Sequence, residues 1–207
     1  IYLMNVNSRA SVRLLNTPAD EHTPVWGPDG RIAFQSNMDG QPEIYVMNSS
    51  GGEVTRLTNN PDFDGHPSWS PDGRLAYASR HNGQYRIWLM NGDGSGQQQL
   101  SSQPGGLYPA WSPSGVHITY SSDSNNDGWL DLWLMNADGT EQQEIRRSSE
   151  TYDTMPRSWA PDASHLALTV VHYVYIDQVG LWFIERSSIH KMYLGYGLSL
   201  IHISEPT

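Results

Sequence analysis

The 207-residue chain sets 12 Lys and Arg against 22 Asp and Glu, a formal charge of −10 that repels a phosphate backbone and argues against nucleic-acid binding. Gly (19), Pro (13) and Trp (8) are abundant and Cys is absent, which excludes a disulfide framework, a thiolate metal site and a cysteine nucleophile. Such a composition fits many short strands joined by tight turns, not a helical bundle.

In chain order, Ile1-Tyr-Leu-Met-Asn5 is apolar on both faces and reads as a strand sandwiched between sheets, so residues 1–16 are predicted to form two strands of a partial unit. A complete unit is predicted over 17–58. Its inner strand ends at Trp26, and Gly-Pro28-Asp29-Gly30 makes the turn, with Pro presetting φ and Asp and Gly suiting the later positions. Arg31-Ile-Ala-Phe34 alternates with period two, Ile44-Tyr-Val-Met-Asn48 is the doubly buried strand, and Glu53 to Thr58 forms the outer one. The same order recurs over 59–100 with Trp69-Ser-Pro-Asp-Gly73 and Ile87-Trp-Leu-Met-Asn91, and over 101–147 with Trp111-Ser-Pro-Ser-Gly115 and Leu132-Trp-Leu-Met-Asn136. A weaker copy over 148–186 carries Trp159-Ala-Pro-Asp-Ala163 and Leu181-Trp-Phe-Ile184.

The tryptophans are spaced by 43, 42 and 48 residues, the period of four-stranded propeller blades. The predicted fold is an all-β propeller of four-stranded antiparallel blades, about four and a half of them present, in an incomplete ring. Its open edges need missing blades or another chain for closure. Residues 187–207 depart from the repeat as an atypical tail; Ile189 to Tyr193 is expected to add an outer strand, and the ending Leu198 to Thr207 reads as non-native. No signal peptide is seen at Ile1, and the longest lightly charged apolar stretch, Met192 to Ile203, falls short of the roughly 20 residues a membrane helix needs.

The combination of Pro-x-Trp-Ser-Pro-Asp-Gly, Ile-Tyr-Val-Met-Asn and Leu-Thr resembles the TolB-type, WD-like propeller repeats over roughly Ile1 to Glu185. The resemblance implies a six-bladed ring, a periplasmic or extracellular location and a non-catalytic role in binding a protein partner. It also implies alternatives: the gating propeller of a serine peptidase of the prolyl oligopeptidase type, or part of a polysaccharide lyase. No Gly-x-Ser-x-Gly elbow, His-Glu-x-x-His or phosphate-binding loop is present, so no catalytic residue is assigned.

Two constellations remain. The insertion that lengthens the third period places Asp123, Asn125, Asp127 and Asp131 at loop positions one, three, five and nine, with Gly128 at six and the Trp129 carbonyl at seven. This is an oxygen pattern suited to Ca²⁺ but lacking the final bidentate Glu; extended hairpin loops also favour Asp and Asn for their turn chemistry. The loops entering the inner strands carry Glu21, His22, Asp64, His66, Tyr108 and Asp153, positions that gather at one mouth of a propeller channel as a partner-binding rim. The aromatic series Tyr2, Tyr45, Trp88, Trp133 and Trp182, the four turn tryptophans, and Met4, Met47, Met90 and Met135 are expected to pack between blades.

Overall fold

In each repeat the turn after the tryptophan is closed by backbone hydrogen bonds, as in Gly27 N–H to the Arg31 carbonyl at 2.8 Å and Ser70 N–H to the Arg74 carbonyl at 2.8 Å. The turn needs a left-handed residue, supplied by Gly30, Gly73 and Gly115 at φ +80°, +85° and +70°, and in the last copy by Ala163 at +57°, where a Cβ makes the conformation costly. The computed structural model describes residues 1–148, 152–176 and 181–193.

The strands are β1 (Tyr2–Met4) and β2 (Ser11–Arg13), then β3 (Glu21–Trp26), β4 (Ile32–Ser36), β5 (Glu43–Met47) and β6 (Thr55–Arg56). The next set comprises β7 (Asp64–Trp69), β8 (Arg74–His81), β9 (Gln84–Asn91) and β10 (Gln98–Gln99), followed by β11 (Leu107–Trp111), β12 (His117–Ser122), β13 (Asp131–Asn136) and β14 (Gln143–Arg146). The last set is β15 (Tyr152–Trp159), β16 (His165–Ile176) and β17 (Leu181–Tyr193). Each set is one antiparallel meander in chain order: a two-stranded sheet, three four-stranded blades and a three-stranded sheet. The fold is an all-β propeller.

The final sheet differs from expectation. Residues Ile189 to Tyr193 do not turn back as an outer strand but continue β17 opposite Thr169 to His165 of β16. The reason is local: the other blades reverse at Asn48 to Gly51, Asn91 to Gly94 and Asn136 to Gly139, whereas nothing between Ile184 and Ile189 supplies Asn or Gly. The boundary drawn at 186/187 falls inside this strand, and residues 194–207 of the tail lie outside the described residues.

The core is built between blades, not within them. Leu15 packs with Ile32, Phe34, Tyr45 and Met47. Ala33, Ile44, Val46 and Leu57 meet Leu75, Tyr77 and Met90 of the next blade, and Ala76, Ile87, Leu89 and Leu100 meet Trp111, Ile118, Tyr120, Trp133 and Met135 of the one after. A polar latch recurs beside this core: the Gln97 amide donates to the Leu57 carbonyl at 3.0 Å, and that of Gln142 to the Leu100 carbonyl at 3.1 Å.

Not every repeat-equivalent aromatic is core. Trp111 is 6% exposed but Trp26 is 54% exposed, and Tyr2 and Met4, expected to be buried, are 67% and 59% exposed. Arg31 stacks over Trp69 at 5.2 Å and Arg74 over Trp111 at 5.1 Å, each reaching from the preceding blade. The sheet before Trp26 consists of β1 and β2, so no second strand offers an equivalent arginine or covers Tyr2 and Met4. The side chain of Trp182 lies outside the described residues.

Candidate functional site

The inner strands β3, β7, β11 and β15 share an irregularity that shapes one mouth of the arc. Their pairing with the second strand slips between His22 and Val25, Gly65 and Ser68, Leu107 and Ala110, and Pro156 and Ser158. At the first three slips a non-glycine residue before proline is held left-handed: Thr23 at φ +50°, His66 at +55° and Tyr108 at +53°. The bulge re-aims these side chains away from the ladder. His66 and Tyr108 thereby meet, with ring centroids 4.4 Å apart, and Phe63 bridges to His66 at 5.7 Å and Tyr85 at 5.5 Å. His22, one residue earlier in register, is exposed on β3 and pairs by backbone with Gln35.

The carboxylates of the predicted rim are engaged in structure. Glu21 accepts from the Thr17 hydroxyl and lies 3.7 Å from the amine of Ile1. Asp153 accepts from Leu130 N–H at 2.7 Å, tying the last sheet to the loop before β13. Asp64 is fully buried and faces the junction between the first two complete blades. Burial pushes its carboxyl up to about 6, with a push from nearby Glu43, against the opposing effect of the Ser79, Thr58 and Asn60 side chains.

That junction holds acceptors the sequence reading missed. Glu43 is fully buried, and its Oε1 accepts from Arg56 Nη2 at 2.7 Å and Asn60 N–H at 3.0 Å. Asn60 Nδ2 donates to Asp64 Oδ2 at 2.5 Å, and Asp64 N–H to the Pro42 carbonyl at 2.9 Å. Glu43 Oε2, Asp64 Oδ1 and Gln35 Oε1 are buried without hydrogen-bond partners, and the Ser79 hydroxyl sits beside Asp64 without a well-formed bond. The available signal was a charged residue opening the doubly buried third strand, Glu43 and Asp131 at one repeat position.

The insertion loop folds on itself through side-chain turns. Gly128 N–H donates to Asp123 Oδ2 at 3.2 Å, Asn125 Nδ2 to Asp127 Oδ2 at 2.8 Å, and Trp129 N–H to Asp127 Oδ1 at 2.9 Å. Asp131 lies at the buried start of β13, where Oδ1 accepts from Ser148 N–H at 2.7 Å; burial first, then Glu144 and Asp127, pushes it up to about 6. Among the described residues no three His, Asp or Glu side chains are gathered so as to hold a metal ion, nor is any helix long and apolar enough to cross a membrane. At the opposite end of the inner strands Trp26, Trp69, Trp111 and Trp159 line an open cleft of about 390 Å³ with Pro28, Pro71 and Pro113.

The TolB from Acinetobacter baumannii superposes with a TM-score of 0.75 at 18% identity, over 95% of this chain and 47% of that one. The chain therefore spans about half of that protein's length. A TolB candidate from Agrobacterium tumefaciens gives 0.65 at 18% identity, covering 93% of this chain and 84% of its own, and a prolyl endopeptidase gives 0.59 at 12% identity, covering 86% and 28%. No curated protein sequence matches the chain. The model of the TolB beta propeller domain matches residues 1–163, and the chain belongs to that family.

Proposed function

We propose that this chain is a non-catalytic TolB-like propeller module that docks a protein partner at the mouth formed by His66 and Tyr108, in the periplasm or outside the cell. The observation that carries this reading is the pair of left-handed residues whose rings meet at 4.4 Å, backed by Phe63 and Tyr85, on a rigid bulged scaffold. Backbone strain kept at a surface cluster of aromatics is a common mark of a recognition site. The −10 charge favours a partner with basic character at the contact. Closure of the ring falls to further blades or to another chain, and His22, Glu21 and Asp153 belong to the surrounding rim.

The test is capture of envelope proteins by the full-length protein and by its His66→Ala/Tyr108→Ala variant. A partner retained by the first and weakened about tenfold or more in the second is expected, the size of a single interface hot spot. A second reading, the gating propeller of a peptidase, is favoured by the prolyl endopeptidase likeness. Hydrolysis of a proline-containing peptide by the full-length protein, with no partner captured, would replace the first reading with the second.

The 123–131 loop is proposed as a calcium loop, held by Asp123, Asn125, Asp127, the Trp129 carbonyl and Asp131. Its support is that Asp123 Oδ1 and Asp131 Oδ2 are buried without hydrogen-bond partners. Asp127→Ala is expected to lower the number of Ca²⁺ ions bound per chain by one; an unchanged number removes the loop from consideration.

A further inference from the structure

We propose that the junction between the first two complete blades is a second and separate site for a hard cation of the calcium type, with Glu43, Asp64 and Gln35 as its protein ligands. Three side-chain oxygens there, Glu43 Oε2, Asp64 Oδ1 and Gln35 Oε1, are buried without a well-formed hydrogen bond, with the Ser79 and Thr58 hydroxyls beside Asp64. The three residues are 0%, 0% and 8% exposed. Leaving such atoms unpaired is costly, and two of them belong to carboxylates, which carry no proton to share while ionised. A cation held at this junction would supply the missing partner.

Charge points the same way. Arg56 lies 2.7 Å from Glu43 Oε1 and 3.6 Å from the exposed Asp39, so it answers Glu43 and Asp39 together. Among the described residues Asp64 makes no salt bridge. The donor set is all oxygen, without the imidazole or thiolate that selects zinc or copper, and carboxylate, amide and hydroxyl oxygens suit calcium's flexible shell. Space is kept for Gln35 by Gly65: a Cβ there would lie 2.2 Å from Gln35 Oε1, so any side chain would expel the amide.

The repeat supplies an internal comparison. Ile44 N–H donates to the Thr58 hydroxyl and Ile87 N–H to that of Ser101, which fixes Glu43 and Arg86, each just before its Ile, as equivalent. Counting from Phe34 and Tyr77, each facing the equivalent ring of Tyr45 or Trp88, Gln35 corresponds to Ala78. Asp64 and Gly106 each stand five residues before the turn tryptophan. Between the second and third blades the three equivalent positions are thus Arg86, Ala78 and Gly106, so the two acids and the amide are absent there as a set, and the Arg86 guanidinium donates to the Tyr85 carbonyl and to Gln84. At the following junction Thr154 N–H donates to the Leu130 carbonyl as Asp64 N–H does to that of Pro42, leaving Asp131 without a second carboxylate at the Asp64 position. One junction alone of these three carries the full set.

The experiment uses the whole chain in the Asp127→Ala background, where the surface loop is disabled, stripped of metal and titrated with CaCl₂ by calorimetry and thermal melting. One Ca²⁺ per chain and a rise in Tm of about 5 °C at a hundredfold excess over Kd are expected, from the linkage of binding to stability. Adding Asp64→Asn or Glu43→Gln, both isosteric, is expected to weaken binding at least tenfold; if either fails to fold by circular dichroism, Gln35→Ala reads the same site. No uptake in the Asp127→Ala background, or uptake unchanged in the added variants, overturns the proposal. Because neither result depends on a protein partner, its failure is distinct from failure of the docking reading.

Discussion

Trp111→Ala is expected to cost about 3–5 kcal/mol, while Trp26→Ala, the same letter of the same motif, is expected to cost less than about 1 kcal/mol. The first ring is 6% exposed, sits among Ile87, Leu100, Ile118, Tyr120 and Trp133, and carries Arg74 on its face. Truncating it leaves a cavity between two blades that rigid β-sheets cannot collapse to fill, and removes the cation–π contact. The second ring is 54% exposed, and no arginine stacks on it among the described residues. Urea titration of the two variants beside the parent chain checks this. Equal losses would mean that Trp26 is covered in solution, as by closure of the ring or by a second chain.

Asp64→Asn, in metal-free buffer, is expected to stabilise the chain at pH 7.5 by up to about 3 kcal/mol, an advantage that disappears below about pH 4. The sign follows from linkage. Burial raises the Asp64 carboxyl from 3.8 to about 6, so the folded state holds its proton more tightly than the unfolded one, and stability falls as pH rises between those values. Two units at about 1.4 kcal/mol each set the magnitude, with Asp64 fully buried. Asn keeps the acceptor used by Asn60 and brings an N–H₂ donor where Asp64 Oδ1 is unpaired. The difference between the two stability curves isolates this slope from the exposed Asp29, Asp72, Asp138 and Asp162, whose carboxyls are held below the usual range and act in the opposite sense on acidification. A pH-independent difference would contradict it. Calcium, if bound at the junction, restores the parent chain toward the variant, because a cation relieves the same buried charge.

The order of strands in each blade was legible in the sequence because it rests on local chemistry. Pro and Gly fix the turn after each tryptophan, period-two alternation marks β4 and β8, and apolar residues on both faces mark β5, β9 and β13 as strands between sheets. Ile189 to Tyr193 are a strand, but no Asn or Gly after Ile184 turns the chain before them, so they extend β17 instead of adding an outer strand. Of the rim residues, His66 and Tyr108 come together because their bulges are equivalent, while His22, four residues before its tryptophan where His66 is three before, is offset already in the sequence and stays exposed on β3.

What the sequence determined by itself was the repeat, and with it the all-β class, the propeller blades and the family to which the chain belongs. The tertiary structure decided which members of each repeat position are buried, which are exposed and which carboxylates face one another. Trp26 and Trp111 are written in the same motif, and Glu43 meets Asp64 across a blade junction where the next repeat has Arg86 and Gly106. The physical reason is that a propeller buries side chains against the neighbouring blade, about one repeat away along the chain. Local pattern fixes the face on which a residue lies, but its burial, its partner and its ionisation depend on what that neighbouring blade presents.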